Sequence, residues 1–332
     1  MKALVTGGCG FIGSHLVRKL VDSGASITVV DDLSAGDLLN LSEKDIKFRA
    51  VHPGLLERFL TQTANKKDDV TVITGDFVDP IVLQHLVNHD YTHVFHLAAN
   101  PRVEYSVQYP AMSAETNLMK TIELLSACRK SNIEKLIFAS SSAVYGNIKN
   151  LPTKETDSGK PQSPYALQKL ACEMFMQQFS DLYGLDVVAL RFFNVYGPGC
   201  TGDNPYATAI ASWCDKLKKN EPLRSDGDGE QTRDMVYVED VCEVMFRFAA
   251  NDANKGFVAV NVGTGFSLSN NEILRKLKEQ FSNLRVQHAP ERLGDTKHTR
   301  ASTSKLYDCL GWSPKTNFED GLQKTIEWWK LK

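Results

Sequence analysis

A glycine-rich turn near the start of the chain restricts its possible folds more than any other feature. Residues 6–13 read TGGCGFIG and lie between a β-branched run and an amphipathic stretch. Gly7 permits a tight turn, Gly10 lets the backbone approach a pyrophosphate, and Gly13 allows the helix to pack closely on the strand. The spacing therefore predicts a strand, a turn and a helix whose N-terminal N–H groups bind phosphate.

The same alternation of strand-like and helical stretches continues through the first two-thirds of the chain. Strands that alternate with helices of this length predict βαβ units and a parallel, doubly wound α/β sheet. The stretch over 37–69 is long for one crossover, and a short extra helix is expected around Leu55–Gln62. The predicted strands are Ala3–Thr6, Ile27–Val30, Val70–Thr74, His93–His96, Lys135–Ala139 and Val187–Arg191, and the predicted helices include Phe11–Asp22, Pro80–Asn88, Ser113–Lys130 and Tyr165–Tyr183.

The pattern loosens after about residue 196, where Pro, Gly and Asp cluster as is typical of loops. We expect a smaller lobe at the C-terminal edge of the sheet, where open α/β sheets bind their ligands. The predicted division is a Rossmann-type domain over 1–190, to which about 234–264 returns, and a ligand-binding lobe over 191–233 and 265–332. After residue 196, helices are predicted at Ala207–Lys219, Asp240–Asn251 and Asn270–Gln280, with a single strand at Phe257–Val262.

Two acidic residues, Asp31 and Asp32, end the second predicted strand. A carboxylate at this place accepts hydrogen bonds from the ribose hydroxyls of NAD and repels the 2′-phosphate of NADP. No arginine lies within Val29–Gly36 to receive that phosphate. Together with the glycine turn, the acidic pair predicts an NAD site. Asp76 and Phe77 follow the third predicted strand and are placed to reach the adenine, although the two residues are equally typical of a helix start with a core aromatic.

A tyrosine and a lysine lie one helical turn apart at the start of a predicted helix. Positions i and i+4 share a helix face, so the Tyr165 phenol and the Lys169 ammonium can point the same way. A cation beside a phenol stabilises the phenolate, which can then act as a base near neutral pH. This spacing is common by chance, but Ser141 and Ser142 follow the fifth predicted strand and bring hydroxyls to the same edge of the sheet. Either serine can bond the reacting oxygen, and the sequence leaves both open.

Composition and charge disfavour several other classes of protein. The net charge is −2 over 332 residues, so the sum of charges points to neither nucleic acid nor an anionic membrane as partner. No stretch approaches the apolar length of a membrane span. The seven cysteines are widely spaced and form no C-x-x-C pair, which argues against disulfides and a zinc site and for a reducing compartment. We expect a cytoplasmic protein that needs no metal.

Motifs along nearly the whole chain resemble those of one family. The matching stretches are TGGCGFIGSHL, DDLS, GDFVDP, HLAA, ETN, SSSAVYG, SPYALQK, RFFNVYGPG, GDGEQTRDMVYVEDV, NVGTG, RLGD and LGW. Together they are similar to the extended short-chain dehydrogenase/reductase family, and within it to the NAD-dependent nucleotide-sugar epimerases of the UDP-glucose 4-epimerase type. The resemblance implies 4-epimerisation of a UDP-hexose through a transient 4-keto sugar, with NAD regenerated in each cycle.

The resemblance also implies roles for the matching residues. Tyr165 would take the proton from the sugar 4-hydroxyl, while Lys169 would tune Tyr165 and bond the nicotinamide ribose. Ser141, with Ser142 as its rival, would bond the reacting oxygen. The implied cofactor contacts are Gly7, Gly10, Phe11, Ile12, Gly13, Asp31, Asp32, Asp76, Phe77, Leu97, Ala98, Ala99 and Asn117, and the implied substrate contacts are Asn194, Arg233, Arg292, Asp295 and Thr299.

One position in the resemblance bears on the sugar. In the family, the residue four past the aspartate of RLGD lines the sugar pocket, and a bulky aromatic there excludes N-acetyl groups. This chain has Thr299, so our hypothesis is that the pocket admits N-acetylated sugars as well as plain hexoses.

Relatives dimerise through two helices per subunit, which would be about Ser113–Lys130 and Tyr165–Tyr183 in this chain. Both stretches carry apolar stripes, for example Leu170, Met174 and Phe175. Such a stripe is also typical of core within one chain. A homodimer is expected from the resemblance.

Three other functions stay open at this point. Nucleotide-sugar 4,6-dehydratases carry Asp and Glu before V-Y-G, whereas Ser141–Ala143 holds no carboxylate. UDP-glucuronate 4-epimerases and decarboxylases need a cation near the sugar C6, for which Arg102 is a candidate with Glu104 beside it, and they tend to have Thr in place of Asn194. A non-catalytic NAD-binding sensor or scaffold usually lacks the Tyr or the Lys, and this chain retains both.

Overall fold

A parallel sheet forms the centre of the structure, a computed structural model that describes residues 1–56, 58, 70–88, 91–148, 150–201, 209–281, 283–290 and 296–331. The strands of these residues are β1 (Lys2–Thr6), β2 (Ser26–Asp31), β3 (Phe48–Val51), β4 (Val70–Thr74), β5 (His93–His96), β6 (Lys135–Ser141), β7 (Val187–Phe192), β8 (Asn194–Tyr196), β9 (Leu223–Asp226), β10 (Thr232–Tyr237), β11 (Phe257–Val262), β12 (Ser267–Ser269) and β13 (Val286–Ala289).

Eight of these strands pair in the order β11-β7-β6-β5-β1-β2-β4-β3, and every pairing in this sheet is parallel. The order reverses at β1, so the sheet is doubly wound, as the alternating pattern predicts. Strands with covered faces read as continuous apolar runs rather than alternating ones. β7, Val187–Phe192, is buried along its whole length.

Helices cover both faces of the sheet. Helix α1 packs with α9 on one face, and α3, α6 and α7 lie on the other. The described helices are α1 (Phe11–Asp22), α2 (Leu39–Ser42), α3 (Pro80–Asn88), α4 (Val103–Gln108), α5 (Pro110–Ala114), α6 (Lys120–Cys128), α7 (Pro164–Tyr183), α8 (Ala209–Lys218), α9 (Val238–Ala250), α10 (Asn270–Gln280), α11 (Ser304–Leu310) and α12 (Phe318–Leu331). None of these helices is long and apolar enough to cross a membrane.

The helix predicted over Ser113–Lys130 is interrupted. A π turn over Glu115–Met119 connects α5 to α6. Such turns are frequent at functional sites, and this one buries Asn117 beside the cleft described below.

The region between β2 and β4 contains more than the one extra helix that the sequence predicts. The structure places α2 and the edge strand β3 there, followed by a 3₁₀ turn over Pro53–Leu55 that leads into the helical residues Leu56 and Arg58, within the predicted Leu55–Gln62 helix. Residues 57 and 59–69 lie outside the described residues. Strand β3 is short and partly exposed, so its sequence lacks the buried apolar run that identifies the inner strands.

The prediction of a single strand after residue 196 is wrong. β11 joins the large sheet beside β7, and four more strands after residue 196 form two small sheets together with β8, in the orders β12-β10-β8 and β13-β9. These strands have three to six residues and carry charged side chains such as Arg233 and Asp234. The sequence does not predict them, because strands this short show little alternation of apolar and polar residues. Their stability comes from a separate apolar cluster that includes Trp213, Leu223 and Ile273.

Candidate active site

The glycine turn forms part of a cleft at the C-terminal edge of the sheet. Gly7 has φ of +71°, and a Cβ there would lie 2.8 Å from the Ala98 backbone nitrogen. A Cβ at Gly13 would lie 2.1 Å from the Gly7 carbonyl oxygen. Because only glycine fits at these two positions, the turn stays tight and leaves the N-terminus of α1 facing a cleft of about 400 Å³. The residues present therefore fit the diphosphate of a dinucleotide.

Asp31 lines the same cleft at the end of β2. Its carboxylate accepts hydrogen bonds from the Cys9 N–H at 2.8 Å and the Leu33 N–H at 2.9 Å. Burial raises the pKa of this carboxyl. Each carboxylate oxygen accepts more than one hydrogen bond, so Asp31 retains capacity for ribose hydroxyls. Asp32 also lines the cleft, and its Oδ1 accepts from the Ser34 N–H and hydroxyl.

The remaining predicted cofactor contacts fall into two groups. Phe11, Ile12, Phe77, Leu97, Ala98 and Ala99 line the cleft together with Gly7, Gly10 and Gly13. Asp76 is not among the residues that line it. The Asp76 carboxylate accepts from the Lys120 ammonium and the Val78 N–H, and Lys120 itself lines the cleft. Contact between Asp76 and the adenine stays a prediction.

Asn117 lies behind the cleft wall rather than in it. Its side chain is 2 % exposed. The side-chain Oδ1 accepts from the Asn100 N–H at 2.7 Å, and Nδ2 donates to the Asn100 carbonyl at 2.9 Å and to Gln168 Oε1 at 2.8 Å. Because Asn100 lines the cleft, Asn117 fixes the wall from behind.

Helix α7 positions the tyrosine and the lysine. The helix begins where the Ser163 hydroxyl accepts from the Ala166 N–H and Pro164 occupies the first turn, both typical of a helix start. Tyr165 lines a second cleft, of about 850 Å³. Lys169 is 4 % exposed, its Nζ donates to the Ala139 carbonyl at 2.7 Å, and burial lowers its pKa to about 8.

Ser141 and Ser142 line the second cleft together with Tyr165. They lie at the end of β6, where the chain turns into a short 3₁₀ helix, Ser142–Tyr145. The Ser141 hydroxyl oxygen accepts from the Ala143 N–H at 3.2 Å, which leaves its proton available to a ligand. Both hydroxyls remain candidates for the reacting oxygen.

Three predicted substrate contacts line this second cleft, namely Asn194, Arg233 and Thr299. The Arg233 guanidinium donates from Nη1 to the Thr232 and Lys297 carbonyls at 3.0 and 3.2 Å. The Thr299 N–H donates to the Thr232 carbonyl at 3.0 Å. These bonds seat the guanidinium and the threonine side by side on the small sheet. Arg292 and Asp295 fall in 291–295, outside the described residues.

The two clefts meet. Phe11, Ile12 and Pro101 line both of them. The cleft that fits a dinucleotide therefore adjoins the cleft that Tyr165 and the two serines line. Transfer of a hydride and a proton to one ligand requires two such sites side by side.

Comparisons with known proteins agree with this geometry. The model of the NAD dependent epimerase/dehydratase family matches residues 3–263. The chain belongs to this family.

The similarity to individual members spans the full length. A putative UDP-glucose 4-epimerase of Methanocaldococcus jannaschii is 33% identical over 98% of both chains. The solved UDP-N-acetylglucosamine 4-epimerase of Methanobrevibacter ruminantium, in complex with UDP-N-acetylmuramic acid, is 36% identical with a TM-score of 0.87, over 99% of this chain and 98% of that one. MoeE5, solved with UDP-glucuronic acid and NAD, is 32% identical with a TM-score of 0.82, over 100% and 99%. The chain is therefore an NAD-dependent epimerase by family, while its relatives differ in the sugar they bind.

Within this family member, a buried polar network supports the catalytic helix. Glu173, one turn after Lys169, is 3 % exposed and pairs with Arg191 of β7 at 2.7 Å. The Ser140 hydroxyl donates to the same carboxylate. Arg191 also donates to the Tyr145 hydroxyl at 2.9 Å, which in turn donates to Asn261 Oδ1 at 2.5 Å. The network ties α7 to the sheet directly beneath the predicted catalytic groups.

Sequence reasoning missed part of the lining of both clefts. The omitted residues of the first cleft include Ser34, Ala35, Gly36 and Lys120, and those of the second include Glu104, Gln162, Phe193 and His298. The loop after Asp31 could have been predicted to line the cleft, because the loop that follows the second strand of such a sheet passes the ribose site. The contributions of Glu104 and His298 depend on tertiary packing and have no local signature.

Proposed function

We propose that this epimerase inverts the C4 hydroxyl of a UDP-hexose, interconverting UDP-glucose with UDP-galactose and also the N-acetylated pair. The observation that carries the proposal is that the first cleft adjoins, through Phe11, Ile12 and Pro101, the second cleft. Tyr165, Ser141 and Ser142 line that second cleft, and Lys169 lies buried one turn along the helix from Tyr165. Proton transfer at one hydroxyl requires the acid/base group to face the ligand, while the cation that stabilises it can lie buried behind it.

Tyr165 is the proposed acid/base group. Its phenolate takes the proton from the sugar 4-hydroxyl, and the ammonium of Lys169 stabilises that phenolate. NAD would be held by the residues that line the first cleft, among them Gly7, Gly10 and Asp31, and would supply there a reversible acceptor for the C4 hydride. Ser141 or Ser142 donates a hydrogen bond to the oxygen while it is a ketone, and Tyr165 then gives the proton back. A positioned acid/base group of this kind contributes on the order of 10²–10⁴-fold to the rate.

Inversion requires the sugar to turn while its anchor stays fixed. Arg233 is the described side chain best suited to the anchor, because a guanidinium matches phosphate oxygens. Arg233 is itself held by the carbonyls of Thr232 and Lys297. We propose that the diphosphate stays on this side chain while the 4-keto sugar presents its other face to the cofactor.

The proposal that N-acetylated sugars are substrates depends on Thr299. This small side chain lines the second cleft, and its Oγ1 accepts from the Asp234 N–H at 3.3 Å. A threonine occupies far less of the pocket than an aromatic ring would. Comparable turnover of UDP-glucose and UDP-N-acetylglucosamine, with products identified by NMR, supports the proposal, and strict rejection of the N-acetylated sugar contradicts it.

Substitution of Thr299 sharpens that experiment. Thr299→Tyr is expected to reduce kcat/KM for UDP-N-acetylglucosamine at least tenfold more than for UDP-glucose, since the ring fills the space left for the N-acetyl group. Thr303→Tyr, in the segment that follows, serves as a control for a bulky aromatic outside the residues that line the cleft.

We also propose that two copies associate through α5, α6, the π turn between them and α7. The large apolar side chains exposed on these elements are Met112, Met119, Leu167, Met174, Phe175, Leu182 and Tyr183. Exposed apolar side chains gathered on neighbouring helices are typical of an association surface. The family resemblance supports a second copy of this chain as the occupant, because members of the family commonly dimerise through two helices per subunit. Light scattering of the purified protein should give the mass of two chains, and the mass of one chain at micromolar concentration contradicts the proposal.

A further inference from the structure

A carboxylate lines the second cleft without any sequence motif to announce it. Glu104, in the first turn of α4, lines this cleft with Tyr165, Ser141 and Ser142. Arg102, two residues earlier, does not line it. Arg102, the candidate cation for binding an acidic sugar, thus lies outside the cleft lining. The carboxylate Glu104 lies within it.

The position of Glu104 is set by the catalytic helix. Ser106, on the same short helix α4, is 0 % exposed, and its hydroxyl accepts from the Tyr165 N–H at 3.1 Å. The start of α4 is fixed as well, because the Arg102 N–H donates to Asn100 Oδ1 at 3.2 Å and the Arg102 carbonyl accepts from the Ser106 N–H. A residue between these two anchors keeps a constant relation to Tyr165.

The charges around the second cleft are unevenly distributed. Among the described residues that line it, Glu104 is the one carboxylate and Arg233 is the one lysine or arginine. Arg233 belongs to β10 of the small sheet, whereas Glu104 belongs to α4, which packs against α7. The anchor for a diphosphate and the carboxylate therefore come from different walls of the cleft.

We propose that Glu104 is a specificity-determining residue that disfavours nucleotide sugars bearing a C6 carboxylate. The inference rests on the proposed function and adds to it a class of substrate that the enzyme discriminates against. Two carboxylates that approach each other within several ångströms repel. Glu104 is exposed, so water screens part of this repulsion, and the remaining cost corresponds to on the order of a tenfold loss of affinity. Neutral hexoses carry no such cost.

The test compares Glu104→Gln with the parent protein on UDP-glucose and UDP-glucuronate. Glutamine keeps the size and removes the charge. The ratio of kcat/KM for UDP-glucuronate over UDP-glucose is expected to rise on the order of tenfold in Glu104→Gln. In the parent protein the same ratio should rise with ionic strength between about 10 mM and 1 M, because salt screens a partly exposed charge.

Glu134→Gln is the matched control. Glu134 is exposed and precedes β6, so it lies at the opposite end of that strand from Ser141. The substitution changes net charge by the same amount and should leave the ratio within twofold of the parent value. An unchanged ratio in Glu104→Gln, or a parent enzyme that already prefers UDP-glucuronate, overturns the inference.

A binding measurement separates this inference from the proposed function. Calorimetric Kd values for UDP-glucose and UDP-glucuronate, measured on the NAD-loaded parent and Glu104→Gln, need no turnover. Absence of turnover with every UDP-hexose would overturn the proposed function. A shift of the Kd ratio toward UDP-glucuronate in Glu104→Gln would still support the inference, and no shift would overturn it.

Discussion

Lys169 shows how one buried residue sets the pH range of the proposed chemistry. The ammonium must remain charged to stabilise the Tyr165 phenolate. Burial lowers the Lys169 pKa to about 8, while the negative charge of Glu173 opposes that shift. Lys169 is therefore charged at pH 7 and loses its proton as the pH rises through about 8.

The first prediction follows from this sign. A plot of kcat/KM for the preferred UDP-hexose against pH should fall on the alkaline side with an apparent pKa near 8, since kcat/KM reports the ionisations of the free enzyme. Lys169→Met should lower the rate by on the order of 10²-fold or more and remove that limb. A profile that stays level up to pH 10 would contradict the role of Lys169.

At the residue scale, the sequence predicts positions whose chemistry is local. Gly7 and Gly13 are identifiable because the turn tolerates no Cβ. Tyr165 and Lys169 share a helix face, but their roles are predicted because the SPYALQK stretch resembles the motif of the family. Glu104 is not identifiable in this way, because its role depends on which wall α4 joins. Asn117 illustrates a third case, in which the residue is recognisable but acts behind the cleft wall through Asn100.

At the scale of elements, α7 depends on its bonds to the sheet. The Glu173–Arg191 pair is buried and is completed by Ser140 and Tyr145. Removing one partner leaves the other charge without compensation in a buried site. The same carboxylate raises the Lys169 pKa, so stability and chemistry both depend on it.

Glu173→Gln should therefore change two measurements. The free energy of unfolding should fall by about 3–5 kcal/mol, as for other broken buried pairs. The alkaline limb of kcat/KM should also move to lower pH, a shift that a purely structural role would not produce. Asp181→Asn, exposed in the last turn of the same helix, should change stability by less than about 0.5 kcal/mol and leave the limb in place. If the alkaline limb of kcat/KM stays at the same pH in Glu173→Gln, Glu173 has only a structural role.

Elements differ in how far the sequence predicts them. Helix α7 has a Ser163 cap, Pro164 at its start and Gly184 in the left-handed region at its end, and its predicted bounds are confirmed within one residue. Strands β8, β10 and β12 have only three to six residues and mix polar with apolar side chains, and they become strands by pairing with each other. The sequence contains the residues but not the pairing.

At the scale of the whole molecule, the doubly wound sheet explains why the site forms where it does. The order of strands reverses at β1, and ligands of such sheets bind at the carboxyl ends near that reversal. We propose that residues 1–190 and about 234–264 serve mainly to bind NAD, and that 191–233 and 265–332 bind the nucleotide sugar. Strand β11 returns to the large sheet and pairs with β7, so the chain passes from the NAD-binding part to the sugar-binding part and back again.

The central claim also concerns the whole molecule. It is that one hydride leaves the sugar and returns to it while enzyme, NAD and nucleotide sugar stay bound together. The most direct measurement incubates the purified protein with UDP-galactose carrying deuterium at C4, in ordinary water and without a second oxidisable substrate. The account predicts UDP-glucose that retains the deuterium at C4, and loss of the conversion in Tyr165→Phe. UDP-glucose that has exchanged its C4 deuterium for solvent hydrogen would contradict the account.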